Sequence, residues 1–409
     1  MVKNTSVTSL FKNGWVVVAM LFIVGALNYL DRTMIVTMRS SIISSIPMTD
    51  AQFGLLTSIF LWIYGILSPF AGFMADRFKR SYVIIGSLFV WSVVTLMTGY
   101  ATTYNELLIT RALMGISEAF YIPAALAMII DYHHKKGTQS LATGINLAGV
   151  MVGQSLGFIG GWLAESHSWN FVFHIMGIIG IVYSVLLLFV LKDADDRHEA
   201  DKPKDNPDFI EAIKFLFKRR SFIFLLLTFG LVGVVSWMVV GWLPTYYMEK
   251  FQLSQTMSGL YATTYLYPAS VLGLILGGFL ADRWSKVNPR GRVYIPIIGL
   301  SISAPFVVLA SQSEILILVI SFFLVYGFAR MFLDTNMMPM LSLIVDSRYR
   351  ATGYGILNML STIVGGIGIY AAGWLRDAQV NLSVVYQLAS IIMVICVGFL
   401  FVVKQQIKK

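Results

Sequence analysis

The chain has 409 residues, of which 57% are hydrophobic and 12% are charged, and its mean hydropathy is +0.75. Soluble domains carry about 25% charged residues, so this composition excludes a water-soluble globular protein. The net charge of +9 comes from basic loops between apolar segments, which is typical of membrane proteins and does not indicate nucleic-acid binding.

Apolar segments of roughly 20 residues recur along the chain, each long enough to cross about 30 Å of hydrocarbon. They predict an all-α membrane protein with twelve transmembrane helices. With both termini in the cytoplasm, most of the 30 lysines and arginines fall on the inner side, so we predict a multi-pass inner (cell) membrane protein in that orientation. The predicted spans are 15–38, 51–74, 82–101, 104–130, 138–164, 169–191, 221–248, 255–281, 293–312, 315–345, 350–375 and 381–403.

The first span contains two adjacent charged residues, Asp31 and Arg32, in the stretch NYLDRTMI. A charge in hydrocarbon costs at least about 2.5–3.5 kcal/mol, so charged residues within spans indicate function. Adjacent side chains on a helix point about 100° apart. One of the two can therefore face a central cavity while the other faces a neighbouring helix.

The loop after the second span reads GFMADRFKR and begins at Gly72. Gly72 would allow close helix approach, and Asp76 would cap and pair with a neighbouring helix end. Arg77 and Arg80 would pair with acidic residues at other cytoplasmic helix ends, and Asp131 is the natural candidate. The loop therefore predicts a cytoplasmic charge cluster.

In the fourth span, TRALMGISEAFYIP places Arg111 and Glu118 seven residues apart. That is nearly two helical turns, so both side chains point the same way, about 10 Å apart along the axis. A carboxylate that alternates between a desolvated position and a position beside a cation takes up and releases a proton. Arginine stays charged and presents a planar fork to a carboxylate or phosphate. These residues predict proton-coupled transport of an anion.

The segment 192–220 is the only long polar interval, and it ends in a short amphipathic helix. Three short motifs before this segment recur after it: GFMADR returns as GFLADR, and ATG and GWL return unchanged. The number of residues between the two copies is nearly the same for all three motifs. A duplicated six-helix unit follows, with predicted halves 1–191 and 221–409 joined by a cytoplasmic linker.

The second half repeats the cytoplasmic motif and adds a buried pair. Asp282 and Arg283 form the second copy of the motif, with Asp346 as the expected partner. In the tenth span, Arg330 and Asp334 are four residues apart and can pair along one helix face. The pair is predicted either to satisfy itself or to supply a second cation for the substrate.

Two parallel six-helix halves and the loop signature resemble the major facilitator superfamily. That resemblance implies a substrate site between the halves at the membrane midplane, reached by alternating access. It also implies that the cytoplasmic charge clusters hold the inner side closed in the outward-facing state.

NYLDR together with the Arg and SEA of the fourth span resembles the organic-anion symporters of this superfamily, which carry sugar acids. The resemblance implies that Asp31 and Glu118 take up protons, Arg32 binds the substrate carboxylate, and Tyr29 lies in the cavity. Asn358 matches a family asparagine that reaches the substrate. The sequence departs from the sugar-acid pattern at Val150, where a glutamine is common.

The same motifs also resemble the Spinster-type lipid carriers, which move lysolipids or sphingoid phosphates, and this alternative stays open. We predict a proton-coupled symporter of a small organic anion such as a hexuronate, hexonate or sialate. No nucleophile–base pair or metal cluster lies at membrane depth, so we expect no enzyme, no cofactor and no metal. The expected partners are the substrate, protons and membrane lipids, without nucleic acid, and the expected state is a monomer.

The residues predicted to couple protons are Asp31, Arg111, Glu118 and Asp334. Those predicted to bind the substrate are Tyr29, Arg32, Asn146, Gln154, Arg330, Asn336 and Asn358. Those predicted to gate are Gly72, Asp76, Arg77, Arg80, Asp131, Asp282, Arg283 and Asp346.

Overall fold

The computed structural model describes residues 13–133, 138–194 and 209–406, and this part of the chain is helical, without strands. It contains twelve helices long and apolar enough to cross a membrane, which confirms the predicted fold class. Their bounds are α1 Gly14–Thr37, α2 Asp50–Arg77, α3 Arg80–Thr98, α4 Tyr104–His133, α5 Gln139–Ser166, α6 Trp169–Val190, α7 Arg220–Phe251, α8 Gln255–Ser285, α9 Gly291–Gln312, α10 Leu316–Ile344, α11 Arg350–Asp377 and α12 Leu382–Gln406. Shorter helices lie at Arg39–Ser45, Phe209–Phe217 and Ser347–Tyr349.

Two spans are interrupted directly after a carboxylate, α4 after Glu118 and α10 after Asp334. In each, a proline follows four residues after the break begins, Pro123 in α4 and Pro339 in α10. Proline lacks the N–H group and clashes with the carbonyl four residues earlier, which opens the helix at that point. Both carboxylates therefore end a helical segment inside a span. The segments are Tyr104–Glu118 and Tyr121–His133 in α4, and Leu316–Asp334 and Met337–Ile344 in α10.

The described residues fall into two compact units. The first contains 13–47 and 66–194, and the second contains 48–65 and 209–406. These packing units differ from the predicted halves because the first part of α2 packs with the second unit. About half of the predicted linker, residues 195–208, lies outside the described residues.

Close backbone contact joins α1 and α5 in the first unit. A Cβ atom on Gly149 would lie 2.4 Å from the carbonyl oxygen of Phe22, and one on Gly153 would lie 2.1 Å from that of Ala26. No larger residue fits at either position without a backbone shift. This contact fixes the face on which α1 presents its charged residues.

The first part of α2 packs on α11 in the second unit by similar close contacts. The Ser58 hydroxyl donates to the carbonyl of Gly366 at 2.6 Å, and the Trp62 indole donates to the carbonyl of Ile363 at 3.0 Å. At one end of this contact Arg376 pairs with Asp50 at 3.0 Å. Direct hydrogen bonds between side chains and backbone explain why this part of α2 belongs to the second unit.

Candidate functional site

An ion pair between α1 and α4 is the central feature of the first unit. Arg32 Nε lies 2.6 Å from Glu118 Oε2, and the two side chains are 6% and 0% exposed. The Arg32 guanidinium also lies over the Tyr29 ring, 4.5 Å from its centroid. Such a desolvated pair is stable only while both charges are present, because removing one leaves an uncompensated buried charge.

Asp31 accepts its hydrogen bond from α3. It is buried, and the hydroxyl of Thr95 donates to its Oδ2 at 3.2 Å. Asp31 and its neighbour Arg32 therefore contact different spans, as adjacent positions on a helix require.

Arg111 completes a group of four charges. It is buried on α4, its Nη1 contacts Met114 Sδ at 3.3 Å, and it lies within electrostatic reach of both Glu118 and Asp31. The hydrogen bond to Glu118 comes from Arg32, while Arg111 acts on it through its charge. Two arginines and two ionised carboxylates balance, so one added proton leaves the group with one positive charge.

The second oxygen of Glu118 has different surroundings from the one that Arg32 contacts. Oε1 is buried. Asn28, one turn before Arg32 on α1, is also buried, and its side-chain amide lies beside the Glu118 carboxylate as a donor.

The polar residues predicted on α5 are only partly accessible. Asn146 is fully buried, and its Oδ1 lies 3.2 Å from the hydroxyl of Tyr121, which donates to the carbonyl of Leu21 at 2.7 Å. This arrangement joins α1, α4 and α5. Gln154 is half-buried further along α5. Substrate binding by either residue stays a prediction.

The second unit holds the predicted pair within α10. Arg330 Nη2 lies 2.5 Å from Asp334 Oδ2, one turn further on, and the side chains are 13% and 35% exposed. Tyrosines lie within electrostatic reach of both charges: Tyr326 and Tyr267 for Arg330, and Tyr354 for Asp334. The carboxylate of the pair is partly exposed.

The two asparagines predicted in the second unit have different surroundings. Asn336 is buried, and its amide donates to the carbonyl of Phe332 at 2.8 Å, across the break in α10. Asn358 lies on an exposed face of α11 that also carries Tyr354. A substrate contact by Asn336 would require this backbone hydrogen bond to open, whereas Asn358 needs no such change.

The first copy of the loop motif, GFMADRFKR, forms one of the expected contacts. Arg80 makes an ion pair with Asp131 and also donates to the carbonyl of Ala127 at 2.7 Å. Arg77 is exposed at the end of α2. Gly72 and Asp76 are helical, but their side chains lie outside the described part of the structure.

The second copy of the motif makes different contacts. Asp282 pairs with Arg292 at 3.3 Å, and Asp346 pairs with Arg348 at 3.6 Å. Arg283 is exposed. Asp346 also caps the short helix after it, accepting from the N–H group of Arg348 at 3.2 Å. The gating roles of both copies stay predictions.

Comparison with known proteins places this geometry in a family. The family model described as Major Facilitator Superfamily matches residues 21–369 and 246–408. The chain belongs to the major facilitator superfamily. Its twelve spans and helical fold agree with membership, and members of this family are transporters rather than enzymes in general.

Relatives within the superfamily include protein spinster homolog 1 from Xenopus tropicalis, 26% identical over 389 residues, which are 90% of this chain and 74% of the relative. An MFS-type efflux pump from Mycolicibacterium smegmatis is 25% identical over 370 residues, 90% of this chain and 85% of the pump. The crystal structure of a bacterial homolog of the human lysosomal transporter Spinster, inward-facing and unoccupied, aligns with a TM-score of 0.81. It is 23% identical, and the alignment covers 96% of this chain and 97% of that one.

Three polar residues beside the group of four charges were not predicted as site residues from the sequence: Asn28, Thr95 and Tyr121. Asn28 and Tyr121 lie within or beside the quoted motifs, so a buried polar residue next to a charged one was the available signal. Thr95 carries no such signal, because threonines also bond to their own helix within spans. Among the described residues, no group of three or more His, Cys, Asp or Glu could hold a metal ion.

Proposed function

We propose that this protein is a proton-coupled secondary transporter of an amphipathic anion of the lysolipid class. The observation that supports the proposal is the buried Arg32–Glu118 pair. In this pair the Glu118 carboxylate binds the guanidinium that an anionic substrate would need. The sugar-acid symport predicted first uses the same coupling chemistry with a more hydroxylated substrate.

Proton and substrate compete within this pair. When a proton binds Glu118, the carboxylate becomes neutral and Arg32 loses its counter-ion. A buried arginine without a counter-ion is costly, so Arg32 then favours a phosphate or carboxylate of the substrate, which its planar fork can bind through two hydrogen bonds. When the substrate leaves, Glu118 releases the proton and pairs with Arg32 again. One proton thus accompanies one negative charge.

Asp31 offers a second protonation site in this scheme. Thr95 donates to its carboxylate from α3, and the charges of Glu118 and Arg111 act on it. A proton on Asp31 changes the charge of the cluster without opening the Arg32–Glu118 bond directly. We therefore assign the exchange with substrate to Glu118 and a further protonation, also needed for coupling to the gradient, to Asp31.

The surroundings of the charges favour an amphipathic substrate over a sugar acid. A buried sugar needs many hydrogen-bonding side chains, because each unpaired polar group costs free energy. Asn146 and Asn336 are engaged with protein groups, and Val150 stands in place of a glutamine. Tyrosines lie within electrostatic reach of Arg330 instead. The spinster relatives support the lysolipid alternative over the sugar-acid one.

The test is transport by the full chain in liposomes. A fluorescent lysophospholipid and a radiolabelled hexuronate are offered with and without an inward proton gradient. We expect gradient-driven movement of the lysolipid, lost in Arg32→Lys, which keeps the charge but not the fork. Arg220→Lys is the matched control, because Arg220 is exposed at the start of α7 and belongs to none of the predicted sites. Accumulation of the hexuronate without movement of the lysolipid would overturn the substrate class.

A further inference from the structure

The short helix Phe209–Phe217 has two distinct faces. Ala212 and Leu216 are buried against the rest of the second unit. The opposite stripe is exposed in the part of the chain that the structure describes, and we call it the free stripe. Its residues are Ile210, Lys214, Phe217 and Lys218.

The helix is held firmly, so the direction of the free stripe is fixed. Phe215 stacks on Tyr349 with ring centroids 4.3 Å apart, and the Tyr349 hydroxyl donates to Glu211 Oε1 at 3.0 Å. Arg219, just after the helix, donates to the carbonyl of Ile344 at 2.7 Å. These contacts fasten the helix to the end of α10 and the start of α11.

The composition of the free stripe is that of an interfacial helix. Ile210 and Phe217 are 58% and 46% exposed, and they are spaced to lie on one face. Lys214 lies between them and Lys218 follows. Glu211, exposed and three residues before Lys214, borders the stripe, and its Oε1 accepts from the Tyr349 hydroxyl. Apolar side chains flanked by lysines are typical of helices that lie in the headgroup region of a bilayer.

The position of the helix matches that composition. Two residues separate it from α7, a candidate membrane span that begins at Arg220. The helix therefore lies close to one end of a span, and the end of a span is where lipid phosphate groups are expected. Lysines attract anionic lipids at such a boundary.

We propose that the free stripe binds anionic phospholipid headgroups. Lys214 and Lys218 contact the phosphates, and Ile210 and Phe217 enter the boundary between headgroups and acyl chains. Because the helix is fastened to Ile344 and Tyr349, anionic lipid also stabilises the ends of α10 and α11 that it contacts. This binding is independent of the transported substrate.

The experiment measures the depth of the free stripe in the full chain. Cys396, the one cysteine, is replaced by alanine, and a nitroxide is attached at Phe217→Cys in nanodiscs of phosphatidylcholine with or without phosphatidylglycerol. Collision with oxygen and with a water-soluble nickel chelate reports depth. We expect deeper insertion with phosphatidylglycerol, and Lys214→Gln with Lys218→Gln should remove the change. Each lysine should contribute about a fivefold change in lipid affinity.

The matched control is a nitroxide at Val287→Cys, since Val287 is 88% exposed in the loop between α8 and α9. It should give the same depth in both lipids. A label at 217 that stays in water in both lipids, or a lipid-dependent change that survives loss of both lysines, would overturn the proposal. Protection from both collision partners would show a protein occupant, such as a second copy, and would equally overturn it.

Discussion

Each unit holds an arginine–carboxylate pair at the point where a span is interrupted, and these two pairs are built differently. Glu118 and Asp334 both end a helical segment that a proline interrupts. Arg32 reaches Glu118 from another span, whereas Arg330 reaches Asp334 from the preceding turn of its own helix. The first carboxylate is fully buried, and the second is 35% exposed.

Because of this difference, relative movement of two helices can break the first pair but not the second. The Arg32–Glu118 bond depends on the relative position of α1 and α4, so a shift of either helix or a proton on Glu118 breaks it. The Arg330–Asp334 bond moves with α10 as one piece. We therefore expect proton coupling to depend chiefly on the first pair, and the second to supply a charge-balanced contact for the substrate.

The largest expected effect is on stability. Glu118→Leu leaves Arg32 buried without its counter-ion and should cost about 3–5 kcal/mol in unfolding free energy. Asp334→Leu should cost less, because its carboxylate is 35% exposed and water can replace part of its interaction with Arg330. Thermal unfolding in detergent measures both. The double variant Arg32→Met with Glu118→Leu should recover most of the loss, and equal losses in the two single variants would remove the contrast.

The next effect concerns coupling. Asp31→Asn and Glu118→Gln mimic protonated carboxyl groups, so each should abolish accumulation driven by a proton gradient and keep some exchange of internal for external substrate. Asp334→Asn should reduce accumulation far less. Uptake and counterflow in liposomes distinguish these outcomes. Accumulation that survives both first-unit variants would identify Asp334 as the coupling carboxylate.

The role of the second pair is sharpened by removing both charges. Arg330→Met with Asp334→Leu keeps the volume similar and leaves no uncompensated charge. We expect normal thermal unfolding and substrate binding weakened about tenfold, as expected for the loss of a charged hydrogen bond. Binding titrations at fixed pH provide the measurement. Unchanged affinity in this folded variant would make the pair purely structural.

The smallest effect tests the environment of Asp31. Thr95→Val removes a hydrogen bond worth about 1 kcal/mol that favours the charged form of Asp31. Half-maximal transport should therefore occur at a proton concentration about fivefold lower. Thr98→Val is the control, because Thr98 is equally buried on α3 and donates to the carbonyl of Val94 in its own helix. Equal pH profiles of the two variants would argue against a role for Asp31 in coupling.

Much of this molecule could be predicted from its sequence. Long apolar runs specify the spans, and the cost of charge in hydrocarbon singles out Asp31, Arg32 and Glu118. The direct bond between Arg32 and Glu118 could not be predicted, because periodicity shows the face of one helix and not its partner 86 residues away. The breaks after Glu118 and Asp334 did carry a signal in the prolines that follow.

The packing of segment 48–65 with the second unit also could not be predicted from the sequence. Its contacts are hydrogen bonds from Ser58 and Trp62 to backbone carbonyls, and a carbonyl is present at every residue. Side-chain identity therefore gives no indication of which stretch of α11 receives them. The same limit applies to Thr95, whose hydroxyl could equally have bonded within its own helix.

The glycine contacts between α1 and α5 have a mechanical consequence. With Gly149 and Gly153 pressed against the backbone of α1, the two helices form one stiff body that resists sliding and rotation. The break after Glu118 gives α4 a hinge directly beside the ion pair. Bending at that hinge would carry the carboxylate away from Arg32 while the stiff body stays in place. A bulky residue at Gly153 should therefore disturb the packing of α1 on α5 and, through α1, the position of Arg32 relative to Glu118, although it touches no charged group.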